Sequence, residues 1–489
     1  MMRHTGRSAP SSQRGDKHQG TVACSLCFVT LCLLWLSACA NLGGPDYKRP
    51  DAPGKAAWSD DPGKRVSAQT TIQPEWWTFF GDPYLDELIK MAISGNIDIR
   101  ILAARTGVAQ ATISQARAGL LPTLTAGAST DTFKSTGTAS TTKYALGSEV
   151  TWEVDIWGKV RKGVEAQQAE FRATEADWRA GYLTLVADVA NAYFQIRQFD
   201  QQIDQQRKAL ERNQQILAIY DSLYAEGLIA NTAVLQQQAE INRLQNGLLE
   251  LQRLRKLTEN GLATLLGVPA DELVVPKAHL LAMLHPVEVP AGLPSDLLSR
   301  RPDIVAAEYR VLQVYNLEGQ ARLARLPSVG LTGRGGTASF ALSDLLKTWT
   351  FGLSSLISIP IFDPNVSAQI KISEAQTKVV EEEYRRTVIS AFEEVENALT
   401  NLASHKAQKI ELHGRSEKLA IVSGQVHAQL DEGMVSQLEV FEVERTLLDA
   451  EQEMLANYWQ ILTDTVALFK ALGGGWPAEV VGNTDRVSP

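Results

Sequence analysis

Two stretches of the sequence, 159–224 and 366–432, contain no proline and little glycine. A proline inside a helix removes a backbone hydrogen bond and clashes with the preceding turn, so its absence predicts one continuous helix over each stretch. At about 1.5 Å of rise per residue, each helix would be roughly 100 Å long, whereas helices in globular proteins average about a dozen residues. The sequence therefore argues against a compact domain and predicts coiled-coil packing or a helical tube.

The sequence also contains an internal repeat. Residues 115–124 (QARAGLLPTL) reappear as 320–329 (QARLARLPSV), 205 positions later. Residues 224–235 (YAEGLIANTAVL) reappear as 430–441 (LDEGMVSQLEVF), 206 positions later. Matches at nearly one offset indicate the duplication of a unit of about 200 residues.

The repeat divides the chain into six segments. The segment between the two repeats contains five prolines, so we expect a linker or a small irregular domain there. The predicted segments are a signal peptide at 1–38, an N-terminal segment at 39–83, a first repeat at 84–267, a linker at 268–300, a second repeat at 301–472 and a C-terminal tail at 473–489.

Both repeats have the same predicted order of elements. A helix of moderate length ends before a proline, two strands follow, and a tight turn at a glycine separates the long helix from a returning helix. In the first repeat we expect helices at 84–119, 159–224 and 232–266 and strands at 123–133 and 144–157. In the second repeat we expect helices at 303–325, 366–432 and 437–472 and strands at 328–340 and 349–362.

The second strand of each pair alternates in polarity. In 144–157, apolar and aromatic side chains point to one face and small or charged ones to the other, and 349–362 repeats this pattern. This alternation fits an ordinary sheet that packs one face on a core, but the flanking helices are too long for a compact core. A transmembrane β-barrel wall has the same alternation, and the sequence favours that interpretation. Trp152, Trp157 and Trp349 are candidates for aromatic residues at a membrane interface, with burial in a core as the competing interpretation.

Four strands per chain are too few to close a wide barrel. An open sheet edge in lipid would leave unpaired backbone groups, which cost several kcal/mol each. Three chains would supply twelve strands, and small inward side chains would leave the lumen open. The predicted fold is a mixed α and β membrane protein, a homotrimeric 12-stranded β-barrel with four strands per chain that continues into a long α-helical tunnel.

The N-terminus has the pattern of a targeting signal. Basic residues precede an apolar run over about 24–36, which is too short to span a bilayer as a helix; a short buried helix is the alternative. Residues 36–39 (LSAC) resemble the bacterial lipobox. The resemblance implies cleavage before Cys39, N-acyl and S-diacylglycerol groups on that cysteine, and loss of the other three cysteines with the signal. We expect no disulfide, metal or other cofactor.

The charge of the chain argues against a nucleic-acid partner. The net charge is −9, and because residues 1–38 contribute +3, the remainder carries −12. The sequence lacks a Walker-type phosphate loop, an HExxH motif and a GxSxG motif, so we expect no enzyme activity. His405, His413 and His427 lie on one predicted long helix, where we expect exposed side chains and not metal ligands.

The combination of these features resembles the TolC-like outer-membrane efflux proteins, and within them the lipoprotein outlets of efflux pumps of the resistance–nodulation–division type. Besides the lipobox and the turn motifs EGLI and EGMV, the resemblance rests on GPDYKRP at 44–50, WWTFFGDPYLDELI at 76–89, LPTL at 121–124, VDIWGKVR at 154–161, SRRPDI at 299–304 and IPIFD at 359–363. It implies a lipid-anchored homotrimer in the bacterial outer membrane, with a tunnel reaching into the periplasm. Such a trimer is the passive exit duct of a tripartite system with a periplasmic adaptor and an inner-membrane pump.

The same resemblance locates a candidate gate. The family closes its tunnel at the periplasmic helix ends, beside the two turns. We therefore expect the turns and the adaptor contact at Gly227 and Leu228 in the first repeat, and at Gly433, Met434 and Ser436 in the second.

Two acidic residues follow the second turn. Glu439 and Glu442 are three residues apart and share one helix face, so three copies would form two stacked carboxylate rings, which favour cations. The family carries acidic residues at this entrance. Ser436 and Glu439 also fit a capping box, and the two roles can coexist. The first-repeat counterparts are Ala233 and Gln236, so the acidity belongs to one hairpin.

Two other functions are open to the sequence. A lipid-anchored periplasmic coiled-coil scaffold without a pore would need the long helices, but it leaves the alternating strands unexplained. An enzyme using Glu439 and Glu442 for acid–base chemistry would need a cleft around its substrate, and these residues lie on one helix beside a turn. The exported substrate is not readable from the sequence, because the pump selects it.

Overall fold

The computed structural model describes residues 47–51, 54, 75–137, 139–278, 280 and 297–475. The predicted signal peptide and Cys39 lie outside these residues. In chain order the elements are α1 (Pro83–Gly95), α2 (Ile97–Ala118), β1 (Thr123–Phe133), β2 (Thr141–Val154), α3 (Lys159–Ala225), α4 (Asn231–Leu266), α5 (Leu297–Arg300), α6 (Pro302–Leu323), β3 (Ser328–Ser339), β4 (Thr350–Ser358), α7 (Pro364–Asp431) and α8 (Gln437–Ala471). A 3-10 helix, Trp76–Phe80, precedes α1.

The two proline-free stretches form single helices, α3 with 67 residues and α7 with 68. Each begins beside an aspartate that accepts hydrogen bonds from free backbone N–H groups of the first turn. The Asp155 carboxylate accepts from the N–H groups of Val160 and Arg161 at 3.1 and 3.0 Å, and Asp363 accepts from Asn365 at 2.8 Å. The prediction of two very long helices is confirmed.

The chain divides into two compact units. The first contains Gln115–Ala166 and Val314–Thr377, and with them all four strands. The second contains Arg49–Ser114, Gln167–Gln313 and Lys378–Pro489, and with them most of the length of the long helices.

The first unit contains one antiparallel sheet in the order β1-β2-β3-β4. Each repeat contributes a hairpin, and β2 pairs with β3 across the repeats, from Tyr144 opposite Ser339 to Val154 opposite Val329. Within the described residues, β1 and β4 each have one neighbouring strand, so both carry a free edge. Every residue of these two strands is exposed.

The predicted strands are confirmed, but two of them end earlier than expected. β2 ends at Val154 and not at residue 157, because Asp155 leaves the ladder to cap α3. β4 ends at Ser358 and not at residue 362, and Pro360, which follows directly, has no N–H to donate to a ladder.

The helix predicted over 84–119 is wrong as a single element, because the structure divides it into α1 and α2 at Asn96. The Asn96 side chain accepts a hydrogen bond from the N–H of Ile99 at 2.9 Å and donates to the carbonyl of Leu265 at 2.9 Å. Gly95 and Gly267 make this crossing possible, because a Cβ on Gly95 would lie 2.3 Å from the Leu266 carbonyl oxygen. The break is a tertiary feature that helical periodicity does not encode.

The core of the second unit includes the aromatic residues of the 3-10 helix Trp76–Phe80. Trp76 is fully buried and stacks on Phe469 of α8 with ring centroids 4.9 Å apart. Gly81 ends the 3-10 helix in the left-handed conformation, at φ 68°. Asp82 then caps α1 through the N–H of Tyr84, at 3.0 Å. Residues 76–89, one of the motifs on which the family resemblance rests, therefore serve to pack the core of this unit.

A buried group of charges attaches the chain after α4 to the long helices. Glu259 of α4 accepts a hydrogen bond from the N–H of Val275 at 2.8 Å and contacts Arg255 at 3.3 Å and Lys256 at 3.0 Å. Arg255 also contacts Asp200 of α3 at 2.6 Å and donates to the Val275 carbonyl at 2.8 Å. We call this group the linker clamp.

Candidate functional site

The two hairpin turns have the same backbone geometry. Gly227 and Gly433 both have φ 73°, in the left-handed region that favours glycine. In the first turn the N–H of Leu228 donates to Leu223 and that of Gly227 to Tyr224, both at 2.9 Å. These two bonds form a Schellman motif, which satisfies the last carbonyls of α3. The second turn repeats it at Gly433 and Met434, with both bonds at 2.8 Å.

Each turn presents an apolar side chain to solvent. Leu228 is 66% exposed and Met434 is 63% exposed. Both occupy the position after the left-handed glycine, so the two repeats place one bulky apolar side chain at the same point of each turn.

The predicted capping box at the start of α8 is not formed. Ser436 is the N-cap and has extended backbone angles, φ −87° and ψ 155°, but its hydroxyl makes no capping hydrogen bond. Its carbonyl accepts from the N–H of Glu439 at 3.1 Å. The first turn of α8 therefore closes through the backbone alone, and the Glu439 side chain has no capping role.

The two candidate gate carboxylates differ in their surroundings. Glu439 is exposed, and its side chain makes no hydrogen bond or ion pair with any described residue. Glu442 is also exposed but lies 2.5 Å from Arg445, one turn further along α8. One chain therefore presents one uncompensated negative charge here and one neutralised pair. Arg445 was missed in the sequence, although its spacing of three from Glu442 indicates this pairing.

Polar side chains connect the two hairpins close to these turns. Tyr220 of α3 donates a hydrogen bond to the side-chain carbonyl of Gln437 of α8. Burial raises the pKa of Tyr220, which keeps its hydroxyl protonated as a donor. This contact cannot be predicted from sequence patterns, because the two residues are far apart in the chain and belong to different repeats.

A second set of polar contacts joins α3, α4, α7 and α8 within the second unit. Gln237 of α4 donates to the carbonyl and side-chain oxygens of Asn213 of α3 at 2.7 and 3.0 Å. Asn213 donates to Glu444 of α8 at 3.5 Å, and Glu444 contacts His427 of α7 at 3.1 Å. Gln237 and Asn213 are buried, so these bonds satisfy the side-chain N–H group of Gln237 and the amide of Asn213, which would otherwise be costly to desolvate.

The expectation of exposed histidines on the long helix is wrong for two of the three. His405 and His427 are half-buried and contact Asp464 at 2.6 Å and Glu444 at 3.1 Å on the returning helix, whereas His413 is exposed. The returning helix packs against that face of α7 and covers it. No group of three or more metal-ligating side chains occurs among the described residues.

The three candidate interfacial tryptophans lie in the first unit and are partly exposed. Trp152 is 37% exposed and donates its indole N–H to the carbonyl of Leu120 at 3.0 Å. Trp157 is 39% exposed and donates to the carbonyl of Pro327 at 2.7 Å. Trp349 is 48% exposed. Burial in a core, the competing interpretation, does not apply to the described chain.

The sheet carries a polar depression of about 560 Å³ across its strands. Glycines line it on all four strands, and Glu149 of β2 and Arg334 of β3 form an ion pair across it at 3.0 Å. Among the described residues, no helix combines the length and apolarity that a membrane-spanning helix needs.

Comparisons with known proteins agree with this architecture. The model of the outer membrane efflux protein family matches residues 88–268 and 293–474. The solvent efflux pump outer membrane protein SrpC of Pseudomonas putida is 30% identical over 464 residues, which cover 91% of this chain and 97% of SrpC. Among solved structures, the outer-membrane channel OprN superposes with a TM-score of 0.80 at 28% identity, covering 88% of this chain and 99% of OprN. The open state of the Neisseria gonorrhoeae MtrE channel gives 0.78 at 27% identity, covering 88% and 98%.

The chain belongs to the outer membrane efflux protein family. It is an outer-membrane protein of the TolC-like type and serves as the exit duct of a tripartite efflux pump. The family is a transport family and not an enzyme family.

Proposed function

We propose that three copies of this chain close a twelve-stranded barrel and that a helical tunnel continues it into the periplasm. The observation that carries the proposal is the four-stranded sheet with free edges on β1 and β4. Each free edge presents backbone groups that would cost several kcal/mol apiece if left unpaired in lipid. Pairing β4 of one copy with β1 of the next removes every edge and continues the antiparallel order.

The side chains of the edge strands fit this arrangement. Phe351 and Leu353 of β4 are 83% and 85% exposed in the single chain, an unfavourable exposure in water that lipid contact would relieve. The glycines and the Glu149–Arg334 pair leave a polar surface suited to a water-filled lumen. Solutes would cross passively, driven by the pump and not by this chain.

Cys39 is proposed as the lipid attachment point, bearing N-acyl and S-diacylglycerol groups after removal of residues 1–38. The barrel would hold the trimer in the membrane without it, so the lipid is a second anchor. Replacing Cys39 with serine should abolish labelling by radioactive palmitate and impair processing, while chains that reach the membrane keep their conductance.

The hairpin turns are proposed as the adaptor contact. Leu228 and Met434 offer exposed apolar side chains beside the rigid turns at Gly227 and Gly433, and Ser436 adds an exposed hydroxyl. An adaptor would favour the open tunnel if it bound the turns more tightly when the helix pairs are splayed than when they are closed. The size of the shift is limited by the difference between these two affinities. The inner-membrane pump would deliver the substrate.

The carboxylates after the second turn are proposed to line the periplasmic gate and to favour cations. Because Arg445 compensates Glu442, the ring formed by Glu439 should dominate the selectivity. Glu439→Gln removes the uncompensated carboxylate and Glu442→Gln leaves Arg445 without its partner, so each should lower the cation preference, and Arg445→Gln should raise it. Glu411→Gln, an exposed carboxylate elsewhere on the second hairpin, is the matched control.

The proposal is tested with purified protein in planar bilayers. We expect native mass spectrometry to give three chains per particle, and a salt gradient to give a reversal potential of cation-selective sign. A monodisperse single chain that needs no detergent and conducts no current would overturn the barrel and favour a periplasmic scaffold. An unchanged reversal potential in the Glu439→Gln, Glu442→Gln double variant would remove the gate assignment alone.

A further inference from the structure

The first unit contains a small open groove where the helices meet the sheet. It has a volume of about 380 Å³, within the range of small-molecule sites, and is lined by Arg117, Leu120, Leu121, Arg161, Val164 and Glu165. These residues come from the end of α2, the turn before β1 and the start of α3. The groove thus combines cationic side chains with an apolar wall.

The charges around the groove leave one cation uncompensated. Arg161 contacts Asp155, with its Nε 3.3 Å from Oδ2, and Glu165 contacts Lys162 at 2.6 Å. Arg117 is exposed and contacts no carboxylate among the described residues. The groove therefore has a net charge of about +1 and a guanidinium group whose donors are free.

The lack of a carboxylate partner for this arginine is specific to the first repeat. Arg322, the counterpart of Arg117, contacts Glu318 at 2.7 Å and Glu374 at 2.9 Å. At the equivalent positions of the first repeat, 205 and 206 residues earlier, stand Ile113 and Gln168. Arg117 and Arg322 both lie in the last turn of their helix, where a cation interacts favourably with the helix dipole. This interaction is common to both arginines, so it does not explain why only Arg117 lacks carboxylate partners.

The position of the groove suits an amphipathic anion. Trp152, a candidate interfacial aromatic residue, donates its indole N–H to Leu120 in the groove wall. Tryptophans of this kind mark the layer where lipid headgroups meet hydrocarbon. Leu121, which is 66% exposed, would contact an acyl chain, and Arg117 would face the phosphate.

We infer that this groove binds the phosphodiester of an anionic phospholipid in the leaflet that faces the periplasm. Arg117 is the principal contact, because a guanidinium can donate two parallel hydrogen bonds to phosphate oxygens. Arg161 adds a second cation, with its Nη1 available beside the Asp155 contact. The inference rests on the proposed barrel, which places this end of the sheet at the membrane surface.

The test compares lipid binding by the purified wild-type protein and three variants. The probe is phosphatidylglycerol in mixed micelles, with phosphatidylethanolamine and soluble glycerophosphate as comparisons, and bound lipid is counted by native mass spectrometry. Arg117→Gln should weaken phosphatidylglycerol binding about tenfold, the loss of one charged hydrogen-bond contact. Gln168→Glu supplies the carboxylate of the second repeat and should have the same effect. Arg105→Gln removes an exposed arginine from the same helix and should bind as the wild type does.

Three outcomes would overturn the inference. Equal phosphatidylglycerol binding by Arg117→Gln and Arg105→Gln would show that Arg117 has no special part. Equal binding of glycerophosphate and the lipid would indicate a soluble anion. A lower melting temperature of Arg117→Gln with unchanged lipid binding would show that Arg117 stabilises the C-terminal end of α2 and does not bind lipid. Conductance separates the two proposals, because Arg117→Gln should conduct as the wild type does, whereas a wild-type protein without conductance refutes the barrel itself.

Discussion

The linker clamp gives the sharpest energetic prediction, through the substitution Glu259→Gln. The Glu259 side chain is 5% exposed and its partner Arg255 is 14% exposed, so their 3.3 Å contact is largely desolvated. Removing one member of a buried pair costs about 3–5 kcal/mol when the other is left alone. Here Arg255 keeps Asp200, and glutamine can still accept from Val275, so we expect about 2 kcal/mol.

The pH dependence of this contribution follows from the direction of the pKa shift. Burial alone would raise the pKa of Glu259, but the Val275 N–H, Lys256 and Arg255 together outweigh it and hold the pKa below its ordinary value of 4.5. A carboxyl group with a lowered pKa stabilises the fold above its unfolded pKa, and that stabilisation is lost as the pH falls through the folded pKa. The difference between the wild type and Glu259→Gln should therefore be constant above about pH 4.5 and shrink below it.

Hydrogen exchange of the trimer in detergent measures this locally. A loss of about 2 kcal/mol corresponds to roughly 30-fold faster exchange at the amide of Val275 if the segment opens as a unit. Glu250→Gln, on the same helix, removes an exposed ion pair with Arg253 and should leave the exchange unchanged. Equal exchange rates in the two variants, or a difference that grows below pH 4.5, would refute the reasoning.

Three further predictions concern the turns, the core and a buried carboxylate. Gly227→Ala and Gly433→Ala should each lower stability by about 1 kcal/mol in thermal melts, because both glycines have φ 73° and an added Cβ meets open space. Phe469→Ala should cost about 3–5 kcal/mol in denaturant unfolding, since the ring is buried and stacked on a tryptophan. Burial raises the pKa of Asp464 above 3.8 despite the contact with His405, so the charged form destabilises the fold as the pH rises through the folded pKa. The melting temperature of Asp464→Asn relative to the wild type should therefore rise over that range.

Much of the architecture was predictable because it depends on local chemistry. The absence of proline indicated the long helices, and the bounds of α3 and α7 differ from the predicted ones by two residues at most. Period-two alternation indicated the strands, and glycine at the turns indicated where the helices reverse. In each of these cases residues close together in the sequence decide the backbone conformation.

The features that escaped prediction depend on partners distant in the sequence. The break at Asn96 follows from the close approach of Gly95 and Gly267, which are 172 positions apart. The Tyr220–Gln437 bond joins the two repeats. Arg445 is different, because its pairing with Glu442 lies within one turn and the sequence alone indicates it.

The free edges of β1 and β4 have a consequence for genetics. In the proposed ring every chain lends one edge to each neighbour, so a single chain with a damaged edge breaks the closure for all three. In a cell producing wild-type and edge-damaged chains in equal amounts, random assembly would leave about one trimer in eight wholly wild-type. Edge-strand mutations in this protein should therefore be dominant, whereas core mutations that prevent a chain from folding before assembly should be recessive.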